Sequence, residues 1–298
     1  MTIPADPSAS EIMSERALLI NLAYRLLGSM AEAEDVVQET YTRWYAMRPE
    51  QREAIVSPGA WLTRVATRIC LDLLRSARVR RESYVGEWIP EPVPDPTEWL
   101  GDADPADRVT LDESVNMAFL VVLESMTPAE RVSFILHDVF GFAFAEVAET
   151  VGRSPAACRQ LAFSARRRIS AARVPATPAV RQARVVRQFK QAWEAKDIDA
   201  LVALLDPDAT VVADGGGRVG ATLRPLAGAA MIVRALDNLG SRLRGLTVLE
   251  RTVNGRPGLV ARRGGEIAAV VAFDVDGDRI TRIWAVRNPD KLQAWKVD

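Results

Sequence analysis

The chain has 298 residues, which is enough for two or three domains that each have a hydrophobic core. Its 38 basic and 39 acidic residues almost cancel, so any affinity for nucleic acid must come from segregated charged patches. Cys70 and Cys158 have no CxxC or Cys/His companions, which disfavours zinc and disulfides and indicates core thiols in a reducing compartment. No metal or cofactor is expected. The sequence contains neither a signal peptide nor the roughly 20 apolar residues of a membrane span, so it predicts a cytoplasmic protein.

Residues 14–85 have the pattern of successive helices, with a break at Gly28-Ser29. The second of these helices keeps its apolar residues for packing and carries an acidic, polar set on another face: Glu34, Asp35, Gln38 and Glu39. Acidic side chains early in a helix also complement its dipole, so a solvated face remains an alternative to a binding surface.

A basic helix is predicted after the Ser57-Pro58-Gly59 turn. An apolar stripe runs through AWLTRVATRICLDLLRSARVRR, where Asp72 is the single acid, and Trp61 is expected in the core. Six arginines project away from the stripe: Arg64, Arg68, Arg75, Arg78, Arg80 and Arg81. A face of this kind can follow a nucleic-acid backbone.

An acidic, proline-rich stretch follows. Between Gly86 and Asp107 there are five prolines and seven acids, with no Lys or Arg, which predicts an extended connector. Such a segment is either simply solvated or a temporary occupant of the basic groove formed by Arg64 to Arg81. However, the apolar groups of Trp88-Ile89-Pro90-Glu91-Pro92 have no reason to occur in an inert linker, so this motif is predicted to dock.

Phe144 to Arg168 have helix-turn-helix spacing. Gly152 supplies the turn, Ser154 can cap the second helix, and Pro155 occupies its first position. Ten Lys or Arg residues occur from Arg153 to Lys190, and no Asp or Glu occurs between Glu149 and Glu194. This end of the module can therefore approach phosphates, although a plain helical hairpin with a solvated arginine face is an alternative.

The last 120 or so residues have a different pattern after the connector Val174-Pro175-Ala176-Thr177-Pro178. Residues 185–195 and 198–205 are predicted as helices and ATVVAD as a strand. A strand-rich meander with turns at Asn254-Gly255 and Asp276-Gly277 completes the chain. Helices that precede a mostly antiparallel sheet predict an α+β cone.

The segments AEAEDVVQETYTRWY and AWLTRVATRICLDLLR, together with the helix-turn-helix, resemble an extracytoplasmic-function (ECF) RNA polymerase sigma factor. The resemblance implies an all-α sigma region 2 at residues 1–85, which docks on core RNA polymerase and reads the −10 element. The docking residues would be Glu34, Asp35, Gln38 and Glu39 on the β′ clamp helices, with the β subunit as a further partner. The −10 residues would be the six arginines of residues 57–81. A linker at 86–111 would join this region to an all-α region 4 at 112–172, which reads the −35 element.

Within region 4, the physical pattern separates two roles on the second helix. Positioning of the duplex by phosphate contact is assigned to Arg153, Arg159, Arg166, Arg167 and Arg168. The start of the helix, where base edges are reached, contains Ser154, Ala156, Ala157, Arg159 and Gln160. Arg159 and Gln160 are predicted to read bases, because Arg pairs with guanine and Gln with adenine.

Three further motifs resemble those of the sigma-factor group with a fused C-terminal SnoaL-like or NTF2-like domain, the sigma-J type. They are the W-L-P-E-P motif of the linker, with Ile89 in place of Leu, and the DGGG(K/R) and NPDKL signatures. This implies a connector at 173–180, a regulatory α+β domain at 181–298, and control in cis through contacts with the sigma domains or linker. The residues concerned are Trp88, Pro90, Glu91, Pro92, Asp214, Gly215, Gly216, Gly217, Arg218, Asn288, Pro289, Asp290, Lys291 and Leu292.

SnoaL-like relatives include isomerases and cyclases, so an enzyme is one alternative, with Asp214 as a base. The single His is His137 and no Tyr follows Tyr84, so this domain lacks two usual partners and is predicted to be non-catalytic. Asp214 and its three glycines could equally form a tight turn that needs positive φ angles. A second alternative is a ligand-responsive helix-turn-helix regulator that acts without polymerase.

Overall fold

The computed structural model describes residues 15–82, 84–95, 115–172, 177–242 and 245–296, without the side chains of residues 77–82 and 239–242. The chain divides into two compact units. Unit 1 contains Met1–Arg80, Asp102–Thr110 and Val122–Ala172. Unit 2 contains Arg81–Gly101, Leu111–Val121 and Arg173–Asp298, so the start of the acidic linker belongs to the same unit as the C-terminal domain.

Unit 1 is built from helices. They are α1 (Arg16–Leu27), α2 (Met30–Ala46), α3 (Pro49–Glu53), α4 (Pro58–Glu82), the end of α5 (Met117–Glu124), α6 (Pro128–Phe134), α7 (Phe144–Val151) and α8 (Pro155–Ala172). Gly28 ends α1 at φ 70°, and the Ser29 side chain accepts from the Glu32 backbone N–H to begin α2. The break predicted at Gly28-Ser29 is therefore confirmed.

The helix-turn-helix has the predicted local geometry. Gly152 lies at φ 73°, in the left-handed region that glycine adopts without steric cost. The Ser154 hydroxyl oxygen accepts from the Ala157 N–H at 3.2 Å, and α8 begins at Pro155. The apolar residues Val147, Val151 and Cys158 are buried, so the two helices pack through the face that the pattern assigned to the core.

Unit 2 is an α+β domain. Its elements are α9 (Ala179–Ala195), α10 (Ile198–Leu204), β1 (Leu205–Asp214), β2 (Leu226–Ala227), α11 (Ala229–Arg242), β3 (Leu246–Val253), β4 (Arg256–Arg263), β5 (Glu266–Asp276) and β6 (Arg279–Val286). The six-stranded sheet has the order β2-β1-β6-β5-β4-β3. Strands β1 and β6 are parallel, and every other pairing is antiparallel, as the meander predicted.

Both faces of this sheet are covered, which explains why its central strands are apolar almost throughout. One face packs against the helices in a core that includes Val185, Phe189, Ile232 and Ile283. The other face packs against Ile89 of the linker and the C-terminal residues Leu292 and Trp295. Side chains alternate between these faces along each strand.

Both cysteines are free thiols and buried. Within the described residues, no helix is long and apolar enough to cross a membrane, and no group of His, Cys, Asp or Glu could hold a metal ion.

Candidate polymerase, DNA and linker sites

The acidic face of α2 is fully formed in the structure. Glu34, Asp35, Gln38 and Glu39 are all exposed, whereas Val36 and Val37 between them are buried. The Glu39 carboxylate bonds to the Arg43 guanidinium at 2.8 Å, an exposed pair one helical turn away. These four side chains therefore form one solvent-facing surface, which is the set that the sequence singled out.

The basic face of α4 contacts the helix-turn-helix within unit 1. Arg64 forms an ion pair with the Glu149 carboxylate at 2.7 Å, and Arg68 donates to the Glu149 carbonyl at 3.1 Å. Arg75 pairs with Asp72 on its own helix. Arg64, Arg68 and Arg75 are therefore all bonded to other residues of unit 1. The side chains of Arg78, Arg80 and Arg81 lie outside the described residues.

A second contact in unit 1, between the end of α1 and α6, is buried. Arg131 of α6 donates to the Leu26 carbonyl at 2.8 Å and to the Glu124 carboxylate at 2.7 Å. Its side chain is only 3% exposed, and burial lowers its pKa to about 9, which still leaves it charged at neutral pH. Because the end of α1 loses carbonyl partners where the helix stops, Arg131 satisfies a group that would otherwise need water.

The exposed face of α8 carries most of the predicted −35 residues. Solvent reaches Arg153, Ser154, Ala156, Arg159, Gln160, Arg167 and Arg168, and Ala157 and Arg166 are half-buried. Arg159 lies over the Phe144 ring at 5.3 Å, and Arg166 forms a two-pronged pair with Asp138 at 2.6 and 3.2 Å. Arg168 lies 3.9 Å from Glu130. DNA would have to compete with these contacts for Arg166 and Arg168.

Asp214 is the centre of a buried polar cluster at the end of β1. It is 0% exposed, and it accepts hydrogen bonds from the Tyr84 hydroxyl at 2.5 Å and the Ile89 N–H at 3.0 Å. The Lys291 ammonium lies 2.7 Å from the same carboxylate and donates to the Ile89 carbonyl at 2.5 Å. Three groups, from Tyr84, the linker residue Ile89 and Lys291 near the C-terminus, thus converge on one side chain.

The linker residues around this cluster are fixed by further contacts. The Lys291 ammonium lies 4.0 Å from the centre of the Trp88 ring, a cation–π contact. The Trp295 indole N–H donates to the Pro92 carbonyl at 2.8 Å, and Val93 N–H donates to the Asn254 side chain at 3.1 Å. Within this stretch Ile89, Pro90, Glu91, Pro92, Val93 and Pro94 are buried.

The three glycines after Asp214 form a turn in which a larger residue would have a strained backbone or would clash with its neighbours. Gly216 and Gly217 lie at φ 59° and 70°. A Cβ on Gly216 would lie 2.3 Å from the Asn288 amide nitrogen, and one on Gly215 would lie 2.3 Å from the Val219 carbonyl oxygen. Gly217 approaches Val85, the residue before the linker, where a Cβ would meet the valine at 3.1 Å. The glycines therefore form the tight turn with positive φ angles, and the same turn approaches Val85.

The second signature lies beside the first. Asn288 N–H and Arg287 N–H both donate to the Asp214 carbonyl, and the Asn288 side chain donates to the Tyr84 hydroxyl at 3.0 Å. Asp290, after Pro289, forms an exposed ion pair with Arg218 at 2.8 Å. Leu292 is buried against the sheet.

The sequence matches two family models, Sigma-70 region 2 over residues 12–80 and Sigma-70, region 4 over residues 116–169. The ECF RNA polymerase sigma factor SigJ of Mycobacterium tuberculosis (strain ATCC 25618 / H37Rv) is 40% identical over 296 residues, which cover 95% of this chain and 92% of that protein. This chain belongs to the ECF RNA polymerase sigma factors.

Two further likenesses extend along the whole sigma factor. The probable ECF RNA polymerase sigma factor SigI of M. tuberculosis (strain CDC 1551 / Oshkosh) is 35% identical over 304 residues, covering 98% of this chain and 97% of that protein. The crystal structure of the M. tuberculosis extracytoplasmic function sigma factor SigJ is similar with a TM-score of 0.77 and 35% identity, covering 96% of this chain and 98% of that one. The predicted fold class, two helical sigma regions followed by an α+β domain, is confirmed.

The sequence reasoning missed three contributors to the linker site of this sigma factor. Tyr84 was counted as absent from the C-terminal domain, yet its hydroxyl bonds to Asp214, 130 positions later in the chain. Burial and the Asp214 carboxylate raise the pKa of Tyr84 above its usual value, so it stays protonated at neutral pH. Asn254 and Trp295 were not predicted to contact the linker. The Asn-Gly turn was the sequence signal that could have indicated Asn254, and the presence of a tryptophan near the C-terminus was the signal for Trp295.

Proposed function

We propose that this sigma factor directs core RNA polymerase to promoters through three surfaces and that its C-terminal domain controls it in cis. Residues 1–85 would act as region 2, 112–172 as region 4, and 181–298 as the regulatory domain, with a linker at 86–111 and a connector at 173–180. The observation that carries the proposal is the presence, within unit 1, of an exposed acidic face on α2 and exposed arginines on α4 and α8. We place the protein in the cytoplasm, where its polymerase partner works.

The acidic face is proposed to dock on the β′ clamp helices of the polymerase. Exposed carboxylates speed association with a basic partner and fix its register. Replacement of Asp35 and Glu39 by Lys should weaken binding to core polymerase about tenfold or more, because the charge of the surface is reversed. Glu53→Lys is a suitable control, since Glu53 is exposed on the neighbouring helix α3 and lies outside the acidic face. Equal losses in both proteins would argue against a local docking surface.

The exposed start of α8 is proposed to read the −35 element. Arg159 and Gln160 have the side chains that make bidentate bonds to guanine and adenine, each giving about 1–3 kcal/mol of discrimination. Arg153 and Arg167 are exposed, and no ion pair to a carboxylate is seen for either within the described residues, so they suit phosphate contacts. If Arg159→Ala weakened binding equally for every −35 sequence variant, Arg159 would be a phosphate contact instead.

The cluster around Asp214 is proposed to regulate the sigma domains through the linker. Its contacts bury the linker from Ile89 to Pro94, and the linker joins the two DNA-reading regions. The conformational freedom of that connection therefore depends on Asp214, Lys291 and Trp295. Trp88→Ala should change the rate of transcription, because it removes the ring that covers the Lys291 ammonium; an unchanged rate would count against regulation through this contact.

We infer that the C-terminal domain is not a catalyst. Asp214, the candidate base, is completely buried and bonded to the linker. It does not line the large cavity of the domain, and the described lining of that cavity contains no carboxylate, imidazole or phenol. A general base must reach the proton that it abstracts, and no such group is offered there.

Promoter-dependent transcription with purified core polymerase tests the proposal as a whole. The full chain is compared with chains that end near Ala172 and near Asn288; the second removes Lys291 and Trp295 but keeps the sheet. Specific initiation that changes on truncation supports a sigma factor controlled in cis. If no version initiates and the free protein binds operator DNA tightly, the chain is a regulator that acts without polymerase.

A further inference from the structure

A large cavity lies in unit 2, on the face of the sheet that the helices cover. Its volume is about 540 Å³, and the larger side chains in its wall include Phe189, Trp193, Ile232, Leu259 and Ile283. Ligand cavities in proteins span about 300–1,000 Å³ and are mostly apolar, with a few polar groups that orient the ligand. The volume and lining therefore suit a small apolar molecule.

Two polar side chains mark one part of this cavity. The Arg287 guanidinium donates to the Gly220 carbonyl, and both residues belong to the lining together with Thr222. The Thr222 hydroxyl oxygen is buried, and no hydrogen-bond partner is present for it within the described part of the chain. A buried hydroxyl without a partner is unfavourable, so a ligand atom that bonds to it would be stabilising.

Arg287 also lacks a counter-charge. It is the one charged side chain among the described residues of the lining, and no described carboxylate lies within ion-pair distance of it. Partial burial of the side chain lowers the pKa of Arg287, yet a guanidinium remains protonated in proteins. One of its five N–H donors is used by Gly220, which leaves others for a bidentate contact with an anion.

We propose that this cavity binds an apolar monocarboxylate, with the tail against the apolar wall and the carboxylate bonded to Arg287 and Thr222. A single negative charge neutralises the single guanidinium. A phosphate dianion would leave a net charge in a largely apolar cavity, which is costly. A neutral molecule would leave the guanidinium without a counter-charge.

The proposed site can be altered without touching the linker site, because strand geometry separates them. Ala213, Ala285 and Arg287 line the cavity. Their neighbours Asp214 and Asn288 point to the other face, where both bond to Tyr84. The inference does not rest on the sigma activity either, since binding is measured on the free full-length chain.

Calorimetric titration of the full-length protein with decanoate, 2-naphthoate and decanol tests the site. We expect one carboxylate per chain, with decanoate bound at least tenfold more tightly than decanol. Arg287→Met should weaken decanoate binding about tenfold and leave decanol unchanged. Thr222→Val should weaken decanoate binding about threefold. Arg224→Met is the matched control, because Arg224 is exposed in the same loop and is not part of the lining, and it should bind decanoate like the wild type.

Two results would overturn the proposal. One is the absence of saturable binding of both decanoate and 2-naphthoate to the wild-type chain. The other is equal decanoate affinity in the wild type and Arg287→Met, which would place the carboxylate elsewhere. Thermal unfolding of each variant, compared with the wild type, checks that the fold is retained. If Arg287→Met unfolds at a lower temperature, Arg287→Lys replaces it. This variant keeps the charge but loses the bidentate geometry, and it should still bind decanoate more tightly than decanol.

Discussion

Asp214 holds a negative charge where no solvent reaches it, and the structure shows why this is tolerated. Lys291 supplies a positive charge at 2.7 Å, and three N–H or O–H donors satisfy the remaining lone pairs of the carboxylate, from Tyr84, Ile89 and Gly216. A buried ion pair of this kind contributes little net stability when complete, but its disruption leaves a buried charge without a partner. The cluster therefore holds the linker at a defined position on unit 2.

Asp214→Asn should reduce the free energy of unfolding of unit 2 by about 3 kcal/mol, because it leaves the Lys291 ammonium buried without a counter-charge. Urea denaturation followed by tryptophan fluorescence measures this loss. Asp290→Asn is the matched control; it also removes a carboxylate that pairs with a cation, but both partners are more than half exposed, so its effect should stay below about 1 kcal/mol. Similar losses in the two variants would contradict the assigned role of Asp214.

Tyr84→Phe should give a pH-dependent loss of stability. Burial and the Asp214 carboxylate raise the pKa of Tyr84 in the folded protein above the value of about 10 in the unfolded chain. A group with a raised folded pKa contributes fully below the unfolded pKa, and its contribution falls as pH rises above 10. We expect Tyr84→Phe to cost about 1.5 kcal/mol at pH 8 and less at pH 11. A difference between wild type and variant that grows with pH would contradict this sign.

At the scale of elements, the linker behaves as an additional strand-like segment of unit 2. Pro94 forms an isolated bridge with Val253, and Asn254 N–H donates to the Val93 carbonyl at 2.8 Å. The Asn254 side chain completes the attachment by accepting from Val93 and donating to the Val115 carbonyl at 2.9 Å. Proline is compatible with such an edge because it has no N–H to pair.

Asn254→Gly should release this segment without straining the turn. Asn254 lies at φ 50°, which glycine adopts freely, so the variant removes the side-chain contacts of Asn254, including its bonds to Val93 and Val115, without straining the backbone. Cleavage after Glu87, which precedes Trp88 in the same stretch of the linker, by a glutamyl endopeptidase should become about tenfold faster, since cleavage follows the population of the open linker. Lys196→Gly is the control, because Lys196 also has a positive φ of 55° but caps α9 away from the linker. An unchanged cleavage rate in Asn254→Gly would show that its side chain does not hold the linker.

Local features were predictable because their causes act over a few residues. The Gly152 turn and the Ser154 cap were found from the sequence, since a positive φ and an unpaired helix N–H demand particular residue types at fixed spacing. The apolar Trp88-Ile89 pair also indicated docking. Its partners were not predictable from residue pattern alone, because Tyr84 and Asp214 meet only after the sheet has formed, across 130 positions of sequence. The cavity residue Arg287 was missed for the same reason.

At the scale of the whole molecule, unit 1 joins the two DNA-reading regions by contacts of very different strength. The Arg131 contact with Leu26 is buried and hydrogen-bonded on two sides, so its loss would be costly. The Arg64–Glu149 pair is 44% and 58% exposed, and such pairs contribute about 0–1 kcal/mol. Arg64, one of the arginines proposed for the −10 element, is thus held by a contact weak enough for DNA to displace without separating the regions.

Glu149→Gln should therefore strengthen binding of a single-stranded −10 oligonucleotide by up to about fivefold, because Arg64 no longer has to leave a carboxylate before it meets a phosphate. Arg68 keeps its bond to the backbone carbonyl of residue 149, so the packing of the two regions is retained. Fluorescence anisotropy with a labelled oligonucleotide measures the change. Glu194→Gln makes the same change in net charge in unit 2, and it should leave the affinity unaltered. The gain in oligonucleotide affinity should shrink as the salt concentration is raised, since ions screen exposed pairs. An equal gain in Glu149→Gln and Glu194→Gln would reflect net charge alone and would leave Arg64 without a role at the −10 strand.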